Sequence, residues 1–168
     1  MIALPVIHLG VVAAFAALLL FAAVEDGRRF IIPNTVSLGI AILYPAHVLT
    51  AATPIDWLGA VGVAGAALVI GMVLFSRRLI GGGDAKLIAA VALWAGPQHF
   101  MPFFFVTALT GAVIGLALLA HRRWLRPVAA TAGTADGSGG SKPALDLPYG
   151  IAIAAGGVNL AVSFAIGG

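Results

Sequence analysis

The sequence predicts an all-α membrane protein, a bundle of six transmembrane helices with both termini on the periplasmic side. Three observations predict it. The 168 residues are 61% hydrophobic and only 9% charged, well outside the make-up of a soluble globular domain. Apolar stretches of the length a helix needs to cross the hydrocarbon core, about 20 residues, recur along the chain. Every Lys and Arg falls on a single face if six segments cross, as cytoplasmic loops require.

The first stretch, Leu4 to Val24, has no basic segment ahead of its apolar run and is long enough for a full crossing, so it reads as a retained helix and not a cleaved signal. Thr35 to Ala52, Trp57 to Phe75, Phe100 to Ala120 and Tyr149 to Ile166 follow as spans. Ala85 to Gly96 is shorter and stops before Pro97, a length that also suits a re-entrant segment. The basic residues decide its status. If it crosses, Arg28, Arg29, Arg77, Arg78, Lys86, Arg122, Arg123, Arg126 and Lys142 share one side, and the other carries only the termini and the turns at 54–56 and 96–97. Without that crossing they divide between both sides.

Three basic cytoplasmic loops result, at residues 25–34, 76–84 and 121–148. The chain reads as one membrane domain over residues 1–168. Within it, residues 127–147 are expected to form a flexible cytosolic linker, because their Ala, Thr, Gly and Ser have little to bury. Gly59, Gly62, Gly65 and Gly71 give the third span the small residues that let membrane helices pack closely.

The absence of cysteine removes disulfides, thiolate metal sites and cysteine nucleophiles together. The net charge of +3 has no basic stripe with interleaved aromatics behind it, so it reads as an orientation signal and no nucleic-acid partner is expected. His8, His47, His99 and His121 form no ligand pair at helical spacing, and no H-E-x-x-H run exists. They are expected to pack or to sit at the interface. Ser37, Ser76 and Ser163 lack a G-x-S-x-G context. No metal or cofactor is expected.

Six acidic residues remain. Asp26 ends the first span and Asp84 begins the fourth, at the same membrane face on this topology. A charge at membrane depth costs ~2.5–3.5 kcal/mol on insertion scales, which makes an ionisable residue at a span end a functional candidate. Two nearby carboxylates suit peptide hydrolysis, one ionised to draw a proton from water and one protonated to polarise the carbonyl. Taking each residue with its own helix, the negative end of the first disfavours a charge on Asp26 and the positive end of the fourth favours one on Asp84. Asp84 is therefore expected as the base and Asp26 as the acid. Glu25 competes with Asp26, since one step along a helix turns a side chain by about 100°. Gly81, Gly82 and Gly83 permit positive φ and a close backbone approach beside Asp84. Lys86, two positions on, points to another face of the helix and is expected to reach the interface without pairing with Asp84.

These residues resemble a known family, the type IV prepilin peptidases among the GxGD membrane aspartyl proteases, and within it the short Tad/Cpa-type members. The run Asp26-Gly-Arg-Arg-Phe-Ile-Ile-Pro33-Asn34 is similar to that family's first aspartate with its I-P-N element. Gly81-Gly82-Gly83-Asp84-Ala-Lys86 is similar to its G-x-G-D-x-K motif, and Pro148-Tyr149-Gly150 to the start of its final span. The resemblance implies cleavage of leader peptides from prepilin or pseudopilin precursor helices at the cytoplasmic face of the bacterial inner membrane, with Asp26 and Asp84 as the catalytic pair. It implies supporting roles for Gly81, Gly82, Gly83, Lys86, Pro33 and Asn34. Longer members add a cytosolic region with paired cysteines and methylate the new amino terminus. This chain lacks cysteines and room for that region, so peptidase activity without methyltransferase activity is expected, in contact with membrane lipids. The competing reading is a small proton or cation transporter using the same carboxylates. Against it, they sit at one face and the two halves show no matched interrupted segments.

Overall fold

A computed structural model describes residues 3–125 and 149–167, and among these every regular element is helical. The order is α1 (Ala3–Arg29), α2 (Asn34–Thr50), α3 (Trp57–Ser76), α4 (Gly82–Leu125) and α5 (Tyr149–Gly167). Residues 127–147, expected to be a linker, lie outside the described residues.

Among the described residues five helices stand where six spans were expected, and the difference lies at one residue. The predicted fourth and fifth spans are joined in α4, whose 44 residues are broken at Gly96 (φ 56°, ψ −172°). That backbone region is open essentially to glycine alone. Pro97 follows it and has no N–H with which to continue the helical ladder. The limb after the break runs back along α5, where Gly111 faces Ala152 and Gly156 lies against Phe103 and Thr107.

α1, α3, α4 and α5 are long and apolar enough to cross a membrane. α2 is shorter, at 17 residues with Pro45 inside. Its start follows from Pro33, whose φ of −62° and extended ψ of 135° turn the chain into the helix. Asp56 opens α3 by accepting the Gly59 N–H at 2.9 Å, the ordinary work of an N-cap carboxylate.

Large apolar side chains such as Leu20, Phe21, Ile42, Val69, Phe105 and Leu116 face outward, while the interior relies heavily on alanine around Phe15, Leu19, Ile40, Leu87, Val91 and Phe103. Lipid is as apolar as leucine, so helix association here comes from close packing, which small residues permit. Gly71 of α3 shows this, since a Cβ there would lie 2.9 Å from the Ala85 Cβ of α4. α5 is wedged between α1 and α4. Its Gly156 touches α4, and its Gly157 touches Leu19 of α1.

Rings from four segments meet at one end of the bundle. His47 is buried, with its ring centroid 5.2 Å from His8, 4.6 Å from Trp94 and 4.7 Å from Phe164. Trp94 stacks on Phe15 at 4.1 Å and donates its indole N–H to the Ile40 carbonyl at 2.9 Å. The start of α1 and the end of α5 therefore share this end. The opposite end gathers the close of α1 and the starts of α2, α4 and α5.

Candidate active site

α1 continues as a helix through its charged last turn and stops at Phe30, which takes a left-handed φ of 52° and returns its N–H to the Asp26 carbonyl at 2.9 Å. This is the usual left-handed helix ending, made here without glycine. The rotation between neighbours separates the two acids of that turn. Glu25 is half-buried and pairs with Arg29 at 3.6 Å, whereas Asp26 turns inward and is 5% exposed.

The inward carboxylate meets the first turn of α5. Asp26 Oδ2 accepts the Gly150 backbone N–H at 2.7 Å, a buried bond between residues 124 apart in sequence. The approach depends on glycine, because a Cβ on residue 150 would lie 2.8 Å from both Cβ and Oδ2 of Asp26.

Asp84 occupies the first turn of α4 and is 9% exposed. Its Oδ2 accepts the Gly81 N–H at 3.2 Å. This is the half of a capping box in which the third helical residue reaches back to the cap. Its Oδ1 is buried and has no partner among the described residues. That oxygen is left without a hydrogen bond in this arrangement. Both carboxylates lie at the same end of the bundle, Asp26 at the close of α1 and Asp84 at the start of α4. Each also faces a helix N-terminus, Asp84 that of α4 and Asp26 that of α5. The contrast expected from each residue's own helix therefore does not hold, because α5 supplies Asp26 with the same kind of positive end.

Of the two uses that the three glycines permit, positive φ and close approach, the structure shows the second. None has positive φ; among glycines only Gly96 does in the described residues. Gly82 and Gly83 form the first helical positions of α4, and the missing side chains are used for close approach. A Cβ on Gly83 would lie 3.1 Å from the Ile32 Cβ and 3.2 Å from its carbonyl oxygen, and one on Gly82 would lie 3.3 Å from the Phe75 ring. Ile32 thus rests on the residue before Asp84. Beside this contact, exposed Lys86 donates from Nζ to Asn34 Oδ1 at 3.0 Å, just past Pro33. Lys86 makes no ion pair with Asp84, as the helix rotation required, and finds Asn34 as its partner.

One contact had no expectation attached to it, the bond from Gly150 to Asp26. The Pro148-Tyr149-Gly150 run marked a helix start, but nothing local said which carboxylate it would meet. A cavity of about 180 Å³ lies at the opposite end, lined by His8, His47, Asp56, Trp94, His99 and Phe164 among others, and holds neither aspartate. Among the described residues no group of three or more His, Asp or Glu side chains is arranged to hold a metal ion.

Comparison with known proteins gives one match. The model of the type IV leader peptidase family matches residues 13–116, which include Asp26, Asp84 and the segments between them. Neither the curated proteins nor the solved structures gave a match.

Proposed function

Because the chain belongs to the type IV leader peptidase family, we propose that it is an aspartyl endopeptidase that removes the leader peptide from type IV, Flp-type prepilins or pseudopilins at the cytoplasmic face of the inner membrane. The observation that carries this reading is the pair of inward-turned carboxylates, Asp26 and Asp84, at one end of an apolar helical bundle. A leader peptidase without cysteine or a suitable serine needs another source of acid and base, and these two residues can supply both. The two limbs of α4 are read as separate crossings. With them, six crossings place both ends of the chain on the periplasmic side and every basic residue on the cytoplasmic side.

In the reaction, the ionised member of the pair takes a proton from water while the resulting oxygen nucleophile attacks the scissile carbonyl carbon. The protonated member hydrogen-bonds the carbonyl oxygen as charge develops there. Collapse of the tetrahedral species breaks the C–N bond, and the proton gained by the base passes to the departing amine. The pair titrates as a unit, so either residue can begin as the acid. On Asp84, Oδ1 rather than Oδ2 meets water or carbonyl once substrate opens the site, since Oδ2 is held by Gly81. The precursor's apolar helix lies against the lipid-facing bundle, and its leader junction meets the pair in extended form. Methylation of the new amino terminus is not part of this activity.

The test is leader cleavage of a co-expressed Flp-type prepilin by the native chain, Asp26→Asn, Asp84→Asn and Glu25→Gln, at matched membrane levels. Loss in both aspartate variants with Glu25→Gln active is expected. Cleavage that survives either aspartate change rules out the pair.

A further inference from the structure

We propose that Gly150 is a positioning residue for the reaction, with its backbone N–H holding the Asp26 carboxylate in its working orientation. This rests on the aspartyl-pair reading above. Asp26 is the last buried side chain of α1, and beyond it residues 27–31 are all exposed. Its own helix ends within one turn, so little on α1 fixes the carboxylate. The constraint comes from α5, through the 2.7 Å bond donated by Gly150.

The helix contacts show why residue 150 must be glycine. Two glycines of α5 face α1 seven residues apart, Gly150 on Asp26 and Gly157 on Leu19, and the α1 partners are also seven residues apart. The two helices thus run antiparallel with one register, and each glycine lets α5 approach its own α1 partner closely. At that separation a side chain on residue 150 overlaps the carboxylate it should hold. The 2.8 Å approach to Asp26 must open by roughly 0.6 Å to reach ordinary contact at 3.4 Å. The N–H is then drawn away from Oδ2, and the carboxylate loses its fixed donor. Misplacing a reacting group by about 1 Å costs on the order of 100-fold in rate.

Gly157→Ala is the matched control. It places the same methyl group in the same interface, but against the flexible end of Leu19 and two turns from Asp26. A residue that only packs α5 onto α1 would behave alike at both positions. A positioning residue would not.

The experiment measures kcat and KM for leader cleavage by the purified full chain and its Gly150→Ala and Gly157→Ala variants, with Asp26→Asn as the inactive reference and thermal melting in detergent alongside. Gly150→Ala is expected to lower kcat about 100-fold with KM within about two-fold, while Gly157→Ala keeps kcat within a few-fold even where its melting temperature falls. Equal kcat losses in the two variants at equal stability overturn the proposal, as does a Gly150→Ala effect confined to KM. A second change keeps the test decisive if Gly150→Ala does not fold. Replacing the Gly150 amide N–H by an ester oxygen removes the donor and adds no atom at Cβ. It is expected to lower kcat roughly ten-fold or more, the worth of a hydrogen bond to a charged group. An ester variant with native kcat overturns the proposal. An active Asp26→Asn is a different result, which removes the aspartyl pair itself.

Discussion

Lys86→Met removes the ammonium that bonds Asn34 Oδ1 at 3.0 Å and keeps an apolar stem of similar length. The bond joins the start of α2 to the first turns of α4 across 52 residues, beside the place where Ile32 lies on Gly83. Both partners are exposed, so the bond competes with water and contributes about 1 kcal/mol net. That corresponds to roughly a five-fold change in the balance between the closed and loosened arrangements, since 1.4 kcal/mol is tenfold. Leader cleavage measured as kcat/KM is therefore expected to fall about five-fold in Lys86→Met. Asn34→Ala should fall by a similar factor, and the double variant should fall no further. The four proteins form a double-mutant cycle with a coupling energy of about 1 kcal/mol. Additive losses in the double variant refute this reasoning, because Lys86 and Asn34 would then act on different partners, the leader peptide among them.

Two further outcomes follow from the glycine positions. Gly96→Ala has room for its methyl group, the nearest atom being the Ala60 Cβ at 3.7 Å, but must take φ near 56° and ψ near −172°. It is expected to cost about 1–3 kcal/mol of stability from backbone strain alone, read as a lowered melting temperature in detergent. Within the glycine run, Gly82→Ala meets only the edge of the Phe75 ring, whereas Gly83→Ala meets the Ile32 backbone. Gly82→Ala should therefore keep most of the cleavage activity and Gly83→Ala should lose at least several-fold, in side-by-side assays at matched expression. The reverse order would mean that the contact with Ile32 does not hold Asp84.

The helices were legible in sequence wherever lipid sets the constraint. The expected spans over 57–75 and 149–166 match α3 and α5 to within one residue, because a proline, Pro54 or Pro148, stands shortly before each apolar run. The close of α1 was harder to read. Hydropathy stops at Val24, but backbone hydrogen bonding continues through Glu25 to Arg29 and carries Asp26 inside the helix. A run of charge marks where lipid ends, and a helix can continue beyond it. Gly96-Pro97 was read as a turn between two spans; a single residue of unusual φ and ψ breaks the helix there, and the limb beyond it runs back along α5.

At the candidate site, local spacing singled out Asp26, Asp84 and the glycines beside Asp84 as candidates, and also excluded a Lys86–Asp84 pair. It gave no view of Gly150, since the register between α1 and α5 is set by packing at Gly157 and Leu19 and leaves no periodic trace near Asp26. Which of the two permitted uses Gly81–Gly83 would show was not legible for a related reason. Glycine has two uses, unusual torsion and close approach, and only the neighbouring chain decides between them.

The 124-residue interval between Asp26 and its donor also has a consequence in time. At ribosomal rates of about 5–20 residues per second, the first aspartate emerges roughly 6–25 seconds before the amide that holds it. After Asp84 is made, a nascent chain bears both carboxylates while Asp26 still lacks its anchor. On the positioning role proposed for Gly150, activity begins with insertion of α5, and the membrane is spared a half-built protease while synthesis is still under way.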